Sequence, residues 1–237
     1  MHEHCGHAHP EPNEANNPID TVMAIKAQLH SMANPQTAQR MLHEGYLYKV
    51  NLGVSLEHLR PLAQQYANNH ELALALYRDD LRECKLLAAL VDSPLAVTDR
   101  QIDEWANDFN NIEIVDFVCN NLLSLSRLAL VRSYEWCISP NAMLQRAGLV
   151  MIAKIAERNR LERIVLEPYI ELAEDIAAEC SPTTIGPLSQ ALLQIARHSA
   201  ELRQAVANCA QRLQQHSNPP TATLGNELLL QLQHIDN

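Results

Sequence analysis

The sequence predicts an all-α fold, an α–α superhelix in which paired helices stack into a solenoid. Three observations carry that expectation. Leu and Ala, both strong helix formers, dominate a chain whose aromatic content is 4%, low for a β core that favours Phe, Tyr and Trp. Six glycines among 237 residues are too few for the glycine-rich turns of a dinucleotide-binding sheet or a barrel of tight hairpins. From Ile19 onward, apolar residues recur almost without interruption at the i, i+3, i+4, i+7 spacing of buried helix faces. With 47% apolar residues, the chain is globular and long enough to bury a sizeable core.

Residues 1–18, MHEHCGHAHPEPNEANNP, read as a disordered His-rich tail, because three prolines and no apolar periodicity leave nothing to bury. Residues 19–237 read as a single solenoid domain. Val22, Ile25 and Leu29 form the first stripe, with Lys26 as its polar interruption. Ser55 is placed to cap a helix carrying Leu56, Leu59, Leu62 and Ala63. Short helices are expected over His70 to Leu76 and Leu81 to Val91. Thr98 is placed to cap the helix through Trp105, and Asn111 opens one carrying Ile112, Val115, Val118, Cys119 and Leu122. Further helices follow over Ser126 to Trp136, Asn141 to Arg158, Leu161 to Ala178, Thr183 to Ala196, Ala200 to Leu213 and Leu224 to Leu232. Breaks at Asp92-Ser93-Pro94, Ser139-Pro140 and Ser181-Pro182 separate them. Helix pairs thus recur about every 35–45 residues, the period of HEAT-like helical repeats. Such stacks leave a concave surface on which proteins or nucleic acids bind.

The formal charge of −10 argues against coating nucleic acid along the whole chain, since phosphate contacts come mostly from Lys and Arg. One stretch reverses that balance. Residues 126–163 hold seven basic side chains against three acidic ones, whereas residues 1–125 hold eight against seventeen. The six cysteines contain no C-x-x-C pair, which points to reduced thiols in a cytoplasmic protein. No apolar leader follows the start, and no window approaches a membrane span. His2, His4, Cys5, His7 and His9 are metal-ligating types. A flexible tail must lose chain entropy to fold around an ion, so no metal or cofactor is expected, and metal handling through the tail stands as a third alternative.

An ordered set of segments then becomes specific. Tyr48-Lys49-Val50-Asn51-Leu52-Gly53-Val54, followed by Leu56 and Leu59-Arg60-Pro61-Leu62-Ala63, makes an unusual entry into a helix. Leu76-Tyr77 and Leu81-Arg82-Glu83-Cys84-Lys85-Leu86-Leu87-Ala88 come next, then Val97-Thr98 with Ile102, Trp105 and Asp108. Ile112-Glu113-Ile114-Val115-Asp116 and the group Trp136, Ser139, Asn141 and Arg146 complete the series. Together, over roughly residues 45 to 205, these resemble the AlkD-type DNA alkylation repair glycosylases, which are built from HEAT-like repeats.

The resemblance implies a chemistry. A cationic N3- or N7-alkylated purine is a good leaving group, and hydrolysis of its N-glycosidic bond builds positive charge on the sugar. The family stabilises that charge with an aspartate, matched here by Asp116, and holds the backbone with an arginine, matched by Arg146. Its two tryptophan walls, suited to a cation, correspond to Ile112 and Gln194, so this chain is a divergent member lacking both indoles. Double-stranded DNA is the implied partner, with Arg146, Lys154, Arg158, Arg160, Arg163 and Arg197 as candidate contacts. Read without the resemblance, Asp116 is a buried carboxylate bridging neighbouring helices, with Arg146 as its structural partner. Trp105 and Trp136 are core anchors, and Glu83 is a satisfied structural carboxylate. The alternative function is a non-catalytic scaffold that recognises DNA structure or a protein partner.

Overall fold

The computed structural model describes residues 17–158, 160–179 and 181–235. The predicted His-rich tail lies outside these, except Asn17 and Pro18, which belong to the first helix. The elements are α1 (Pro18–Ser31), α2 (Pro35–His43), α3 (Leu56–Gln64), α4 (His70–Tyr77), α5 (Arg82–Val91), α6 (Asp99–Ala106) and α7 (Ile112–Asn121). After a 3-10 turn at Leu123–Leu125 come α8 (Ala129–Cys137), α9 (Ala142–Arg158), α10 (Arg163–Glu171), α11 (Ala173–Ala178), α12 (Pro182–Ala196), α13 (Ala200–Gln214) and α14 (Pro219–Leu232). Among the described residues no strand forms, and the one extended pairing is an isolated bridge between Val50 and Leu81.

The helices form two layers, as the predicted superhelix requires. In one layer α3, α5, α7, α9, α12 and α14 pack side by side in that order; the other carries α1, α4, α8, α10, α11 and α13, with α4 on α5, α8 on α9 and α13 on α14. Leu and Ala fill the core between them, and Leu29, Leu59, Leu76, Leu86 and Leu122 are fully buried. Both tryptophans are core anchors. Trp105 stacks on Tyr77 at 3.9 Å between ring centroids, and Trp136 meets Phe109 edge-on at 5.8 Å. Close approach of α9 to α8 depends on Gly148, where a Cβ would lie 2.5 Å from the Ser133 carbonyl oxygen.

The caps explain most boundaries. Thr98 and Asn111 accept from the backbone N–H of Gln101 and Glu113, as the sequence suggested. Ser55 occupies the cap position, yet its hydroxyl bonds the His58 ring instead of a backbone amide. Three differences from the sequence expectation stand out. Helix α2 was not foreseen, because its apolar stripe is only Ala38, Met41 and Leu42 and it buries no residue. The expected single helix over Leu161 to Ala178 is broken at Leu172 into α10 and α11. Helix α14 starts at Pro219, before its first buried leucine, because Pro at the first turn loses no helical hydrogen bond.

The unusual segment before α3 is clamped by α5. Glu83 is fully buried and accepts from the backbone N–H of Leu52 (3.2 Å) and Val54 (3.0 Å). Gly53 between them has φ +71°, and a Cβ there would lie 2.3 Å from the Asn34 carbonyl oxygen. Arg82 donates to Glu83, to the Val54 carbonyl and, as a fork at 2.8 and 2.5 Å, to Glu113 on α7. The Tyr48 hydroxyl donates to the same Glu113 carboxylate. Burial alone would push that carboxyl up; the Arg82 and Tyr48 contacts outweigh it and hold it below the usual range. Glu83 is therefore the structural carboxylate its surroundings suggested, and its neighbour Arg82 locks α5 to α7.

Candidate nucleic-acid interface

Three neighbouring helices of one layer, α7, α9 and α12, enclose a cleft of about 490 Å³. Each lines it with residues a helical turn apart: Asp116 and Asn120 from α7; Arg146, Val150, Ala153, Lys154 and Glu157 from α9; Pro182, Gly186, Pro187, Gln190 and Gln194 from α12. Asp116 and Arg146, 30 positions apart in sequence, meet here. The Arg146 guanidinium donates to both Asp116 carboxylate oxygens, each at 2.6 Å, and its remaining arm donates to the Thr183 carbonyl at 2.7 Å. The arginine side chain is 14% exposed and the aspartate 35%. One fork thus ties α7, α9 and the first turn of α12 together.

A second pair sits farther along α9, where the Lys154 ammonium bonds Glu157. That bond, backed by the positive fields of Arg158 and Arg197, holds the Glu157 carboxyl below the ordinary range. Lys154, Arg158 and Arg197 therefore all lie within electrostatic reach of Glu157, where α9 and α12 end. Arg158 also donates to the Ser124 hydroxyl (3.2 Å) and the Asn120 carbonyl (3.1 Å). With Arg127 and Arg160 it lines an adjoining hollow of about 530 Å³. The exposed Arg127, Arg160 and Arg197 form no ion pair among the described residues.

The sequence-derived residues fall into three groups. Asp116, Arg146, Lys154 and Gln194 line the cleft, and Arg158, Arg160 and Arg197 lie along its basic end. Arg163 is apart from both, in an exposed pair with Glu167 on α10. Ile112, one turn before Asp116, is 37% exposed and is not part of the cleft lining. Among the described residues no aromatic ring lines the cleft. Sequence reasoning missed Asn120, Glu157, Gly186 and Gln190. Only Asn120, one turn after Asp116, carried a signal, the i, i+4 repetition along α7; the others carried none.

Other chemistry is limited. No group of three or more His, Cys, Asp or Glu that would hold a metal exists among the described residues; the tail histidines lie outside them. Cys84, Cys119, Cys137 and Cys209 are free and buried. No described helix is long and apolar enough to cross a membrane.

The family model described as DNA alkylation repair enzyme matches residues 25–214. A solved structure described as "a new family of proteins related to the HEAT-like repeat DNA glycosylases with affinity for branched DNA structures" is similar, with a TM-score of 0.74 at 17% identity. The similarity covers 87% of this chain and 93% of that one, and at this identity it speaks for the fold. No curated protein matches.

Proposed function

The chain belongs to the DNA alkylation repair enzyme family, and from that membership we propose that it binds DNA across the face formed by α7, α9 and α12. The observation that carries this reading is the hollow lined by Arg127, Arg158 and Arg160, next to the end of α9 and α12 where Lys154 and Arg197 act on Glu157. On a chain of net charge −10, a local cluster of this kind is the electrostatic footprint of a phosphate contact surface. The affinity of the similar structure's family for branched DNA supports a branched DNA, such as a four-way junction, as a ligand. About three to five phosphate contacts would give a log–log salt slope of roughly −3 to −5.

A second reading, excision of cationic N3- or N7-alkylated purines, is favoured by Asp116, a partly exposed carboxylate on the cleft wall. Its charge would stabilise an oxocarbenium-like sugar. The Arg146 fork on both of its oxygens works against this by cancelling the field a nearby cation would feel.

Two measurements test the pair of readings. Anisotropy titrations of labelled duplex and four-way-junction DNA should show salt-sensitive binding that Arg158→Glu/Arg160→Glu weakens at least tenfold. Unchanged affinity in that variant would remove the proposed face. Release of methylated purines from alkylated duplex, lost in Asp116→Asn, would establish excision; no release from folded wild type would leave binding as the function.

A further inference from the structure

The cleft's own charges cancel. Asp116 is taken by Arg146, and Glu157 by Lys154. Neither an anionic phosphate nor a cationic base gains net Coulomb energy inside, and among the described residues no ring is present to stack on a cation. What the walls offer instead is amides. Asn120 projects from α7, while Gln190 and Gln194, one turn apart, project from α12 on the opposite side. Among the described residues no hydrogen bond engages any of these three side-chain amides, although Asn120 uses its backbone carbonyl to receive Arg158. Between them lie the apolar surfaces of Val150, Ala153, Pro182 and Pro187.

Such a lining suits a flat, neutral ligand with donors and acceptors on its edge and apolar faces. An unpaired nucleobase has that character. Asn and Gln amides, each with a donor and an acceptor on one planar group, pair with base edges two bonds at a time. In a fully paired duplex each base is held in the stack and cannot enter a cleft between helices, so the base must come from a bulge, gap or branch point. The cleft volume of about 490 Å³ falls within the roughly 300–1,000 Å³ typical of small-ligand sites. Arg158, bonded to the Asn120 carbonyl at the cleft's end, and Arg197 lie outside the Asp116–Arg146 and Glu157–Lys154 pairs and would hold the flanking phosphates.

We propose that the α7–α9–α12 cleft receives the uncharged base of a single unstacked nucleotide in a bulged or branched DNA and reads its edge through Asn120, Gln190 and Gln194. The inference rests on the DNA-binding reading above and adds the ligand of the cleft itself.

The test uses the full chain and duplex DNA with one extrahelical 2-aminopurine, compared with the same duplex fully paired. Wild type should bind the bulged DNA about tenfold more tightly, and the 2-aminopurine fluorescence should change on binding. Gln190→Ala/Gln194→Ala, at one exposed and one half-buried amide that hold no hydrogen bond among the described residues, should lose that roughly tenfold preference. Retention of the preference by the double variant, or equal binding of both DNAs by wild type, would overturn the proposal. Failure of wild type to bind either DNA would overturn the DNA-binding reading as well. Protection of the cleft by deoxyadenosine monophosphate, with no preference for bulged DNA, would assign the site to free nucleotides and refute its role on DNA.

Discussion

Replacing Asp116 by Asn, Arg146 by Gln, and both together makes a double-mutant cycle on the ion pair at the heart of the cleft. Exposed pairs of this kind contribute about 0–1 kcal/mol, and breaking a fully buried pair costs about 3–5 kcal/mol. This pair lies between those limits, with one partner nearly buried and the other about a third exposed, and it is bidentate. A coupling of about 1.5–2.5 kcal/mol is therefore expected. Arg146→Gln should be the costlier single change, by about 1 kcal/mol, because the Thr183 carbonyl also loses its donor. Asp116→Asn should lower the melting temperature by about 4–8 °C for a domain of this size. Urea unfolding followed by circular dichroism reads all four corners of the cycle. Coupling below about 0.5 kcal/mol, the scatter of independent sites, would refute the view that the fork holds the aspartate. A rise in melting temperature for Asp116→Asn would refute it too, since that is the signature of a carboxylate kept under strain for chemistry.

Three further outcomes follow from the packing. Gly148→Ala would drive a Cβ to 2.5 Å from the Ser133 oxygen and 2.7 Å from the Cys137 nitrogen, costing about 3 kcal/mol. Gly186→Ala, in open space on α12, should gain about 1 kcal/mol; like-signed shifts of the two melting curves would contradict the geometry. Glu113 titrates below its ordinary value, so its contribution is complete above the unfolded value near about 4.3 and is lost as pH falls through the folded one. Glu113→Gln should flatten the acid side of the stability–pH curve, and an unaltered slope would exclude the Arg82–Glu113 brace as a pH-dependent element. Burial pushes the Cys84 and Cys137 thiols up to about 12, Cys209 to about 11, and Cys119 well above its ordinary value. At mildly alkaline pH a thiol reagent should therefore label at most two of the six cysteines before unfolding, with peptide mapping to show that none of these four is modified.

The sequence revealed what depends on local order and hid what depends on meeting across the fold. Thr98 and Asn111 were legible as caps because the capping bond is made within three residues. The α10–α11 break was hidden because apolar spacing continues through Pro168 and Leu172 whether or not the backbone ladder does. Trp105, Trp136 and Glu83 were read as structural from their apolar surroundings, and they are buried. Asp116 and Arg146 could be singled out, but no spacing rule says whether an arginine 30 residues away turns to the carboxylate or to solvent. Gln190 left no mark at all, since an exposed amide contributes nothing to a hydrophobic period.

Net charge fares worst as a guide to this site, and the pairing pattern explains why. In the first half of the chain most cations are committed: Lys26 to Asp79, Lys49 to Asp80, Arg82 to Glu113, Lys85 to Asp108 and Arg100 to Glu104. Arg132 is likewise bound by Asp99 and Asp103, and Arg146 by Asp116. An acid excess in that half therefore neutralises its own cations and leaves little positive field to reach a phosphate. Arg127, Arg158, Arg160 and Arg197, in the second half, lie outside ion pairs among the described residues, and all four belong to the basic end of the α7–α9–α12 face. A polyanion responds to the field left after pairing, which falls off within about 10 Å in ordinary salt. A chain of −10 can therefore present one attractive face, and substitutions at these four arginines should alter DNA affinity far more than equal charge changes on α1 to α6.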